Sequence, residues 1–264
     1  MSDNGLSRRQ YLTTIGGTAV TLSVAGCSGD TGSGEETDAQ TITAGTAPGF
    51  PPFEMKEDGE LVGFDIDLLE AVIGQTDYTL SGWEEFEFDS LIPALNNNNI
   101  DVIAAGMTIN DDRDQTIDFT DPYYTSNQAV VVRSDDDFSP EGLSDLADSQ
   151  IGAQSGTTGE GVVQDELVGD EISESQYSAY GNYVLAIEDL ENGNTDAVMI
   201  DVPVAETFAA NRPVEVAFVY ETDEEFGFGV RSNADNLASS LNSGLSTVQD
   251  DGTYEELTAE WFAE

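Results

Sequence analysis

Three short segments hold the residues best suited to chemistry. Gly106-Met107-Thr108-Ile109-Asn110-Asp111-Asp112-Arg113 follows an apolar β-type run, Ile100–Ala104. In open α/β sheets, ligands bind beyond the carboxyl ends of strands, where glycine lets backbone approach and a helix start offers free N–H groups. Arg113 falls in the first turn after Asn110 and could lay its planar guanidinium over that crevice. It could equally serve as a surface counter-ion to Asp111, Asp112 and Asp114. Ser155-Gly156-Thr157-Thr158-Gly159 repeats the device after another strand, and its hydroxyls and N–H groups suit a carboxylate or phosphate as well as a plain helix cap. No Gly-Lys-Ser/Thr follows those glycines, which excludes a nucleotide P-loop. Asp201 closes a third strand ahead of Pro203, where it could cap a helix or receive an ammonium. Phe50, in the rigid loop Ala47-Pro48-Gly49-Phe50-Pro51-Pro52-Phe53, and Phe88, beside Asp89, could plug a core or line a small-molecule crevice. Nothing near these segments resembles the paired acid and base of a hydrolase.

The composition narrows the chemistry further. Among 264 residues there are 53 acids and 7 cations, for a formal net charge of −46, with no His and one Cys. Such a surface offers no basic stripe for nucleic acid and is repelled by anionic membranes. Without His there is no His-based triad, metal site or pH switch, and one Cys forms neither an internal disulfide nor a zinc cluster. No cofactor or metal is expected. The acids are spread along the chain rather than blocked, and 39% of residues are hydrophobic, so a folded protein with a solvated acidic face is expected instead of a disordered tail. Concentrated salt would suit it, because the Debye length falls to about 3 Å at 1 M and self-repulsion is screened.

The first 26 residues read as a processing signal. Arg8 and Arg9 are followed by a weakly apolar stretch, Ile15 to Ala25, and then by Val24-Ala25-Gly26-Cys27. The stretch is shorter than the ~20 apolar residues a bilayer span requires. It resembles a twin-arginine export signal joined to a lipobox, which implies cleavage before Cys27 and a lipid on its sulfur. Residues 27–40 contain no large apolar side chain and read as a flexible tether.

These candidate residues need elements to position them. Beyond Thr41, short β-type runs alternate with amphipathic helical stretches, the pattern of an α/β protein with a mostly parallel sheet. Strands are expected at Thr41–Thr46, Tyr78–Gly82, Ile100–Ala104, Ala129–Arg133, Gln150–Ala153, Thr195–Ile200, Val214–Val219 and Gly227–Val230. Helices are expected after Asp65 and after Asp89, each read as an N-cap, and over Val184–Leu190. The length suits two domains. With no linker between sequential halves, one domain is expected to interrupt the other, with crossovers within Asp121–Arg133 and Val219–Val230.

Taken together, Pro52-Phe53-Glu54, Gly59 through Leu68, Leu91-Ile92-Pro93-Ala94-Leu95, Gly106-Met107-Thr108 with Arg113, Asp118 through Tyr124, Gly156-Thr157-Thr158 and Gly252-Thr253-Tyr254 resemble the polar amino-acid solute-binding proteins of ABC importers (family 3). The resemblance covers about Thr41 to Phe262. It implies an α/β, two-lobed periplasmic-binding-protein-like fold of type II, with discontinuous domains joined by a two-strand hinge: residues 41–127 with 225–264 in one lobe and 128–224 in the other. It also implies a non-enzymatic, monomeric receptor, lipid-anchored on the extracellular face of the membrane, that closes over a free amino acid and hands it to an ABC permease. Arg113, the Thr108 N–H and Thr157 or Thr158 would hold the α-carboxylate. Asp201, the Gly106 carbonyl and the Thr108 hydroxyl would hold the α-ammonium, and Phe50 and Phe88 would sandwich the side chain. Members that bind cationic amino acids carry Asp where this chain has Ala47, and glutamine-binding members carry Lys where it has Gln154. A neutral polar L-amino acid is the expected ligand. Two rivals share the scaffold: a dehydratase-like enzyme, which needs a carboxyl general acid at the pocket, and a ligand-sensing partner of a membrane receptor.

Replacing Arg8 and Arg9 by Lys should leave the precursor in the cytoplasm, and Cys27→Ser should release the exported protein from the membrane. Cell fractionation reads both, and a membrane-bound Cys27→Ser protein would sink the lipid anchor.

Overall fold

A computed structural model describes residues 40–262. The expected export signal, Cys27 and the expected tether up to residue 39 lie outside the described residues. The first part of the chain forms β1 (Gln40–Thr46), the hairpin β2 (Met55–Glu57) and β3 (Glu60–Val62), α1 (Phe64–Ile73), β4 (Tyr78–Glu85), α2 (Leu91–Asn96), β5 (Val102–Ile103), α3 (Asp111–Asp114) and β6 (Asp118–Phe119). The middle forms β7 (Tyr124–Arg133), β8 (Ile151–Gln154), α4 (Thr158–Val162), β9 (Tyr177–Tyr180), α5 (Tyr183–Glu191), β10 (Ala197–Asp201), α6 (Val202–Asn211) and β11 (Val214–Phe226). The chain then returns as β12 (Gly229–Val230), α7 (Asp235–Asp250) and α8 (Thr253–Trp261).

Two separate five-stranded sheets result, ordered β4-β1-β5-β12-β6 and β11-β7-β10-β8-β9. Both are mixed. β1 pairs in parallel with β4 and β5, and β8 pairs in parallel with β9 and β10. β12 in one sheet and β7 in the other run antiparallel to their neighbours. The chain leaves the first sheet between β6 and β7 and re-enters it between β11 and β12, so the first sheet is discontinuous in sequence. This is the two-lobed α/β arrangement with a two-strand hinge. The chain passes between the sheets at residues 120–123 and again at 227–228. At the crossing, Tyr124 stacks on Phe226 (centroids 5.9 Å apart) and packs edge-on to Phe53 at 5.0 Å. Aromatic pairs in these geometries contribute beyond their buried area.

Each sheet is covered on both faces, as parallel pairing requires. α1, α7 and α8 bury Leu68, Leu69, Val72, Leu241, Leu245 and Leu257 on one side of the first sheet, and Leu91, Leu95, Ile100 and Ile103 fill the other. In the second sheet Tyr183, Ile187, Leu190 and Phe208 pack on one face, and Val163, Leu167, Ile172 and Leu146 on the opposite one. Each such fully buried aliphatic side chain is worth roughly 1.5–3 kcal/mol.

Local details depart from the sequence reading at the helix starts. Asp65 does not cap α1. Gly63 holds that position with φ 141°, and a Cβ there would lie 2.1 Å from the Phe53 carbonyl oxygen. Asp65 lies fully buried in the first turn, where Gly106 N–H (2.7 Å) and the Tyr123 hydroxyl (2.6 Å) donate to its Oδ2. Asp89 belongs to a 3-10 turn, Phe88–Ser90, and Ser90 precedes α2. β11 runs well past Val219 because it pairs with β7 almost to the crossover, and β2, β3, β6 and β9 are too short for period-2 patterning to mark them.

Gly244 lets α7 approach α1 closely, since a Cβ there would lie 2.5 Å from the Val72 carbonyl oxygen. Gly244→Ala should lose stability despite alanine's better helix propensity, by about 1–3 kcal/mol of overpacking less the ~1 kcal/mol of propensity gained. Denaturant melts in molar salt would check the sign, and a stabilised variant would contradict the close approach.

Candidate functional site

The site forms where the carboxyl ends of both sheets meet. Phe50 comes from the loop after β1, Phe88 from the turn before α2, and Gly106 and Thr108 from the segment after β5. Gln154 ends β8, Thr157 and Thr158 follow it, and Asp201 ends β10. Together with Arg113 of α3, all nine of these expected site residues line one enclosed cavity, with Ala47, Glu54 and Ala105 completing its wall. The free volume is about 10 Å³, roughly the room of one water molecule. The lobes are therefore closed on one another, and entry of a small molecule requires them to part.

Closure is fastened by direct bonds between lobes. The Arg113 guanidinium donates through Nη1 to the Thr108 carbonyl at 2.7 Å and through Nη2 to the Gly156 carbonyl at 2.8 Å. Its Cζ sits 5.2 Å from the centre of the Phe88 ring, within cation–π range. Burial lowers its pKa to about 10, against the nearby charges of Glu224 and Asp201, so it remains a cation at neutral pH. Asn110 caps the short helix by accepting from Arg113 N–H at 2.9 Å, which fixes the backbone of the arginine. Phe50 faces Tyr183 of the second lobe at 5.8 Å between centroids. Gly106, with φ 52°, lies against Phe50, whose Cε1 would be 2.5 Å from a Cβ at that position. Only glycine meets both conditions.

The hydroxyls of the site are already engaged. Thr108 Oγ1 donates to Glu224 Oε2 at 2.7 Å and lies 3.1 Å from Thr158 Oγ1. Thr157 Oγ1 donates to the Gln154 carbonyl at 2.7 Å and accepts from Glu160 N–H at 3.2 Å as the cap of α4. Gln154, 4% exposed, donates from Nε2 to the Gly181 carbonyl at 3.3 Å.

Asp201 behaves differently from a helix cap. It occupies the N-cap position of α6, yet its side chain makes no cap bond, and its buried Oδ1 has no hydrogen-bond partner. Burial, then the charge of Glu224, push its pKa well up, partly offset by a hydrogen bond from Gln128. An unpartnered carboxylate oxygen in a closed cavity is a costly feature, and it is suited to a donor from a ligand.

Sequence reasoning had not separated Glu54, Glu224, Gln128 or Tyr183 from their surroundings. Glu54 adjoins the Phe50 loop and is buried against the cavity. Glu224 accepts from Thr108, from Gln128 Nε2 at 2.7 Å and from Thr222 Oγ1 at 2.9 Å. One acid in the run Glu221–Glu225 carries no mark of its own in the sequence, whereas Pro52-Phe53-Glu54 stood within a family motif.

Two α/β lobes on a two-strand hinge, closed over a polar cavity with a cation in one lobe and a free carboxylate in the other, define a cleft-type solute-binding protein. Residues 42–264 match the profile of the bacterial extracellular solute-binding proteins, family 3, and the chain belongs to that family. Among curated relatives, a probable histidine-binding protein of Campylobacter jejuni is 35% identical over 85% of this chain and 86% of its own. The ABC transporter arginine-binding protein 1 of Escherichia coli is 35% identical over 85% and 91%. An ancestral arginine-binding protein bound to glutamine superposes with a TM-score of 0.78 at 35% identity, over 85% of this chain and 98% of that one.

Removing either charge from the closed cavity leaves its counterpart group unmatched, at a cost of ~3–5 kcal/mol. Arg113→Ala and Asp201→Ala should therefore each weaken ligand binding by about two to three decades or more. Calorimetry in molar salt reads this, and wild-type affinity in Arg113→Ala would show that the guanidinium only fastens the lobes.

Proposed function

We propose that this chain is the receptor of an ABC-type amino-acid importer, which captures a free L-amino acid by lobe closure and delivers it to a membrane permease. The observation that carries this reading is the pairing of the Arg113 guanidinium with the partnerless Asp201 oxygen around one closed cavity. A zwitterion has complementary charges, a carboxylate for the first and an ammonium for the second. The relatives named for histidine and arginine binding support the same class of ligand.

The ligand side chain is neutral and polar in this reading. Ala47 brings no charge to the wall, and Gln154 can donate and accept hydrogen bonds without one. Phe50 and Phe88 supply the apolar lining, and lobes of 41–127 with 225–264 and of 128–224 supply the two jaws. Glu54 favours a second reading, a basic side chain, because it adds a carboxyl to the same wall. The protein works as a lipid-anchored monomer on the outer face of the membrane, exported by the twin-arginine route, in an environment of high salt. The net charge of −46 supports the last point. So does the outer cleft of about 1010 Å³ beside Arg113, whose walls bring Asp111 and Asp112 of one lobe near Asp165 and Glu166 of the other. Closing such a cleft in dilute buffer sets like charges against each other.

Thermal-shift screening of the twenty amino acids in molar salt tests the assignment, since a ligand at 100 times its Kd adds about 2.7 kcal/mol. L-Glutamine or another neutral polar amino acid should give the largest shift, and dilute salt should lower every melting temperature. Arginine as best ligand would overturn the neutral side chain. No shift with any amino acid would overturn the ligand class.

A further inference from the structure

Two carboxylates, not one, belong to the wall of the closed cavity, and each has a buried oxygen without a hydrogen-bond partner: Asp201 Oδ1 and Glu54 Oε2. Glu54 is 1% exposed and Asp201 5%. The position of Glu54 is rigidly set, because its N–H donates to the Phe50 carbonyl at 3.1 Å and its carbonyl accepts from the N–H groups of Gly49 and Phe50 at 3.1 and 3.0 Å. The side chain therefore travels with the loop that carries Phe50.

The charged and titratable groups around Glu54 are Asp65 of α1, Tyr123 at the crossover and Asp201 from the second lobe. Tyr123 is committed to Asp65, as is Gly106 N–H. Asp65 is not in the cavity wall, and burial raises it to about 7. The cation of the cavity, Arg113, spends its guanidinium on two carbonyls. Asp201 is faced in turn by Glu224, Arg113 and Tyr183, and its Oδ1, like Glu54 Oε2, has no donor. Burial first, then the charges of Asp65 and Asp201, push Glu54 well above the ordinary carboxylate range; burial first, then the charge of Glu224, push Asp201 up. Two like charges in such a space do not both persist, so the pair retains a proton.

We propose that Glu54 joins Asp201 in the subsite for the positively charged nitrogen of the ligand, and that capture of the ligand expels the proton held by this carboxylate pair. The inference rests on the amino-acid reading above. An ammonium has three N–H donors, more than the one free Asp201 oxygen can accept; the Thr108 hydroxyl, its proton given to Glu224, can accept a second, and Glu54, whose buried Oε2 has no donor, can accept a third. With the ammonium in place both carboxylates ionise, and the proton passes to water. Because binding releases a proton, affinity tightens as pH rises while the unliganded pair is protonated, by up to about tenfold per pH unit for one proton, and levels off once the pair has ionised by itself.

Calorimetric titration of the full chain with L-glutamine, and in parallel with L-arginine, in molar salt and in two buffers of different ionisation enthalpy would count the protons. A buffer-dependent heat equivalent to a substantial fraction of one proton released per ligand is expected, with affinity still rising with pH above the range in which ordinary carboxylates have ionised. Glu54→Gln, which keeps the shape, should remove most of that release and weaken binding about ten- to a hundredfold. Binding without proton release in the wild type overturns the proposal while leaving the amino-acid reading intact, and needs no variant to fold. Unchanged release and affinity in a folded Glu54→Gln protein overturns the part given to Glu54. Absence of binding by both probes and by every amino acid in the thermal screen overturns the amino-acid reading itself, and the inference with it.

Discussion

Closing two lobes over charged groups is possible only if each buried charge finds a partner as the water leaves, and much of this structure is arranged around that constraint. Arg113 meets it by donating to one carbonyl in its own lobe and one in the other. Its position follows from a short chain of local causes: β5 ends, Gly106 turns under Phe50, Asn110 caps, and the arginine falls in the first turn. Asp201 meets the constraint only in part. Its hydrogen bond from Gln128 leaves Oδ1 bare, and a buried acceptor without a donor is among the more expensive features a fold can keep. A binding protein tolerates this where a ligand completes the set.

The scarce cations are distributed in the same spirit. Arg133 donates to the Leu190 and Thr195 carbonyls and to Asp136. Arg231 does the equivalent in the other lobe, reaching the Ile100 carbonyl at 2.6 Å and Asp101 at 2.7 Å. Arg212 forms a fork with Glu191, a geometry that fixes direction as well as charge. In a chain with 53 acids, Arg133 and Arg231 each bind main-chain carbonyls together with a carboxylate, and Arg212 pairs with one carboxylate, so these cations fix local structure and leave most of the acids unmatched. The surface charge is left to the solvent and its ions.

Most of the nine residues that line the cavity stand out in the sequence because they follow a strand or begin a helix, and their expected roles come from the resemblance to the family. The carboxylates behind the cavity wall do not. Asp65 looked like a cap because it precedes an amphipathic run, but Gly63 takes the only backbone conformation that clears Phe53, which moves Asp65 into the first turn and towards Gly106 and Tyr123. Glu224 was hidden among acids of identical local appearance, and only the long pairing of β11 with β7 singles it out. Strand length was also misjudged at β11: burial alternates from Val219 to Phe226, but the inward positions include Thr222 and Glu224, so no apolar alternation marks the strand in the sequence.

The bonds of Glu224 connect the site to the hinge. It accepts from Thr108, which borders the cavity, from Gln128 on β7, and from Thr222 on β11 itself. Just beyond it, Ile109 N–H donates to the Glu225 carbonyl at 2.8 Å and Gly227 N–H to the Met107 carbonyl at 3.1 Å. The segment that supplies Gly106 and Thr108 is therefore bonded along its length to the strand about which the lobes move. Opening the jaws without disturbing the first lobe's half of the pocket is possible only if rotation occurs on the far side of that pairing. The irregular register between Tyr220 and Glu224 is where the β11–β7 ladder is already interrupted, and bending there breaks the fewest main-chain bonds.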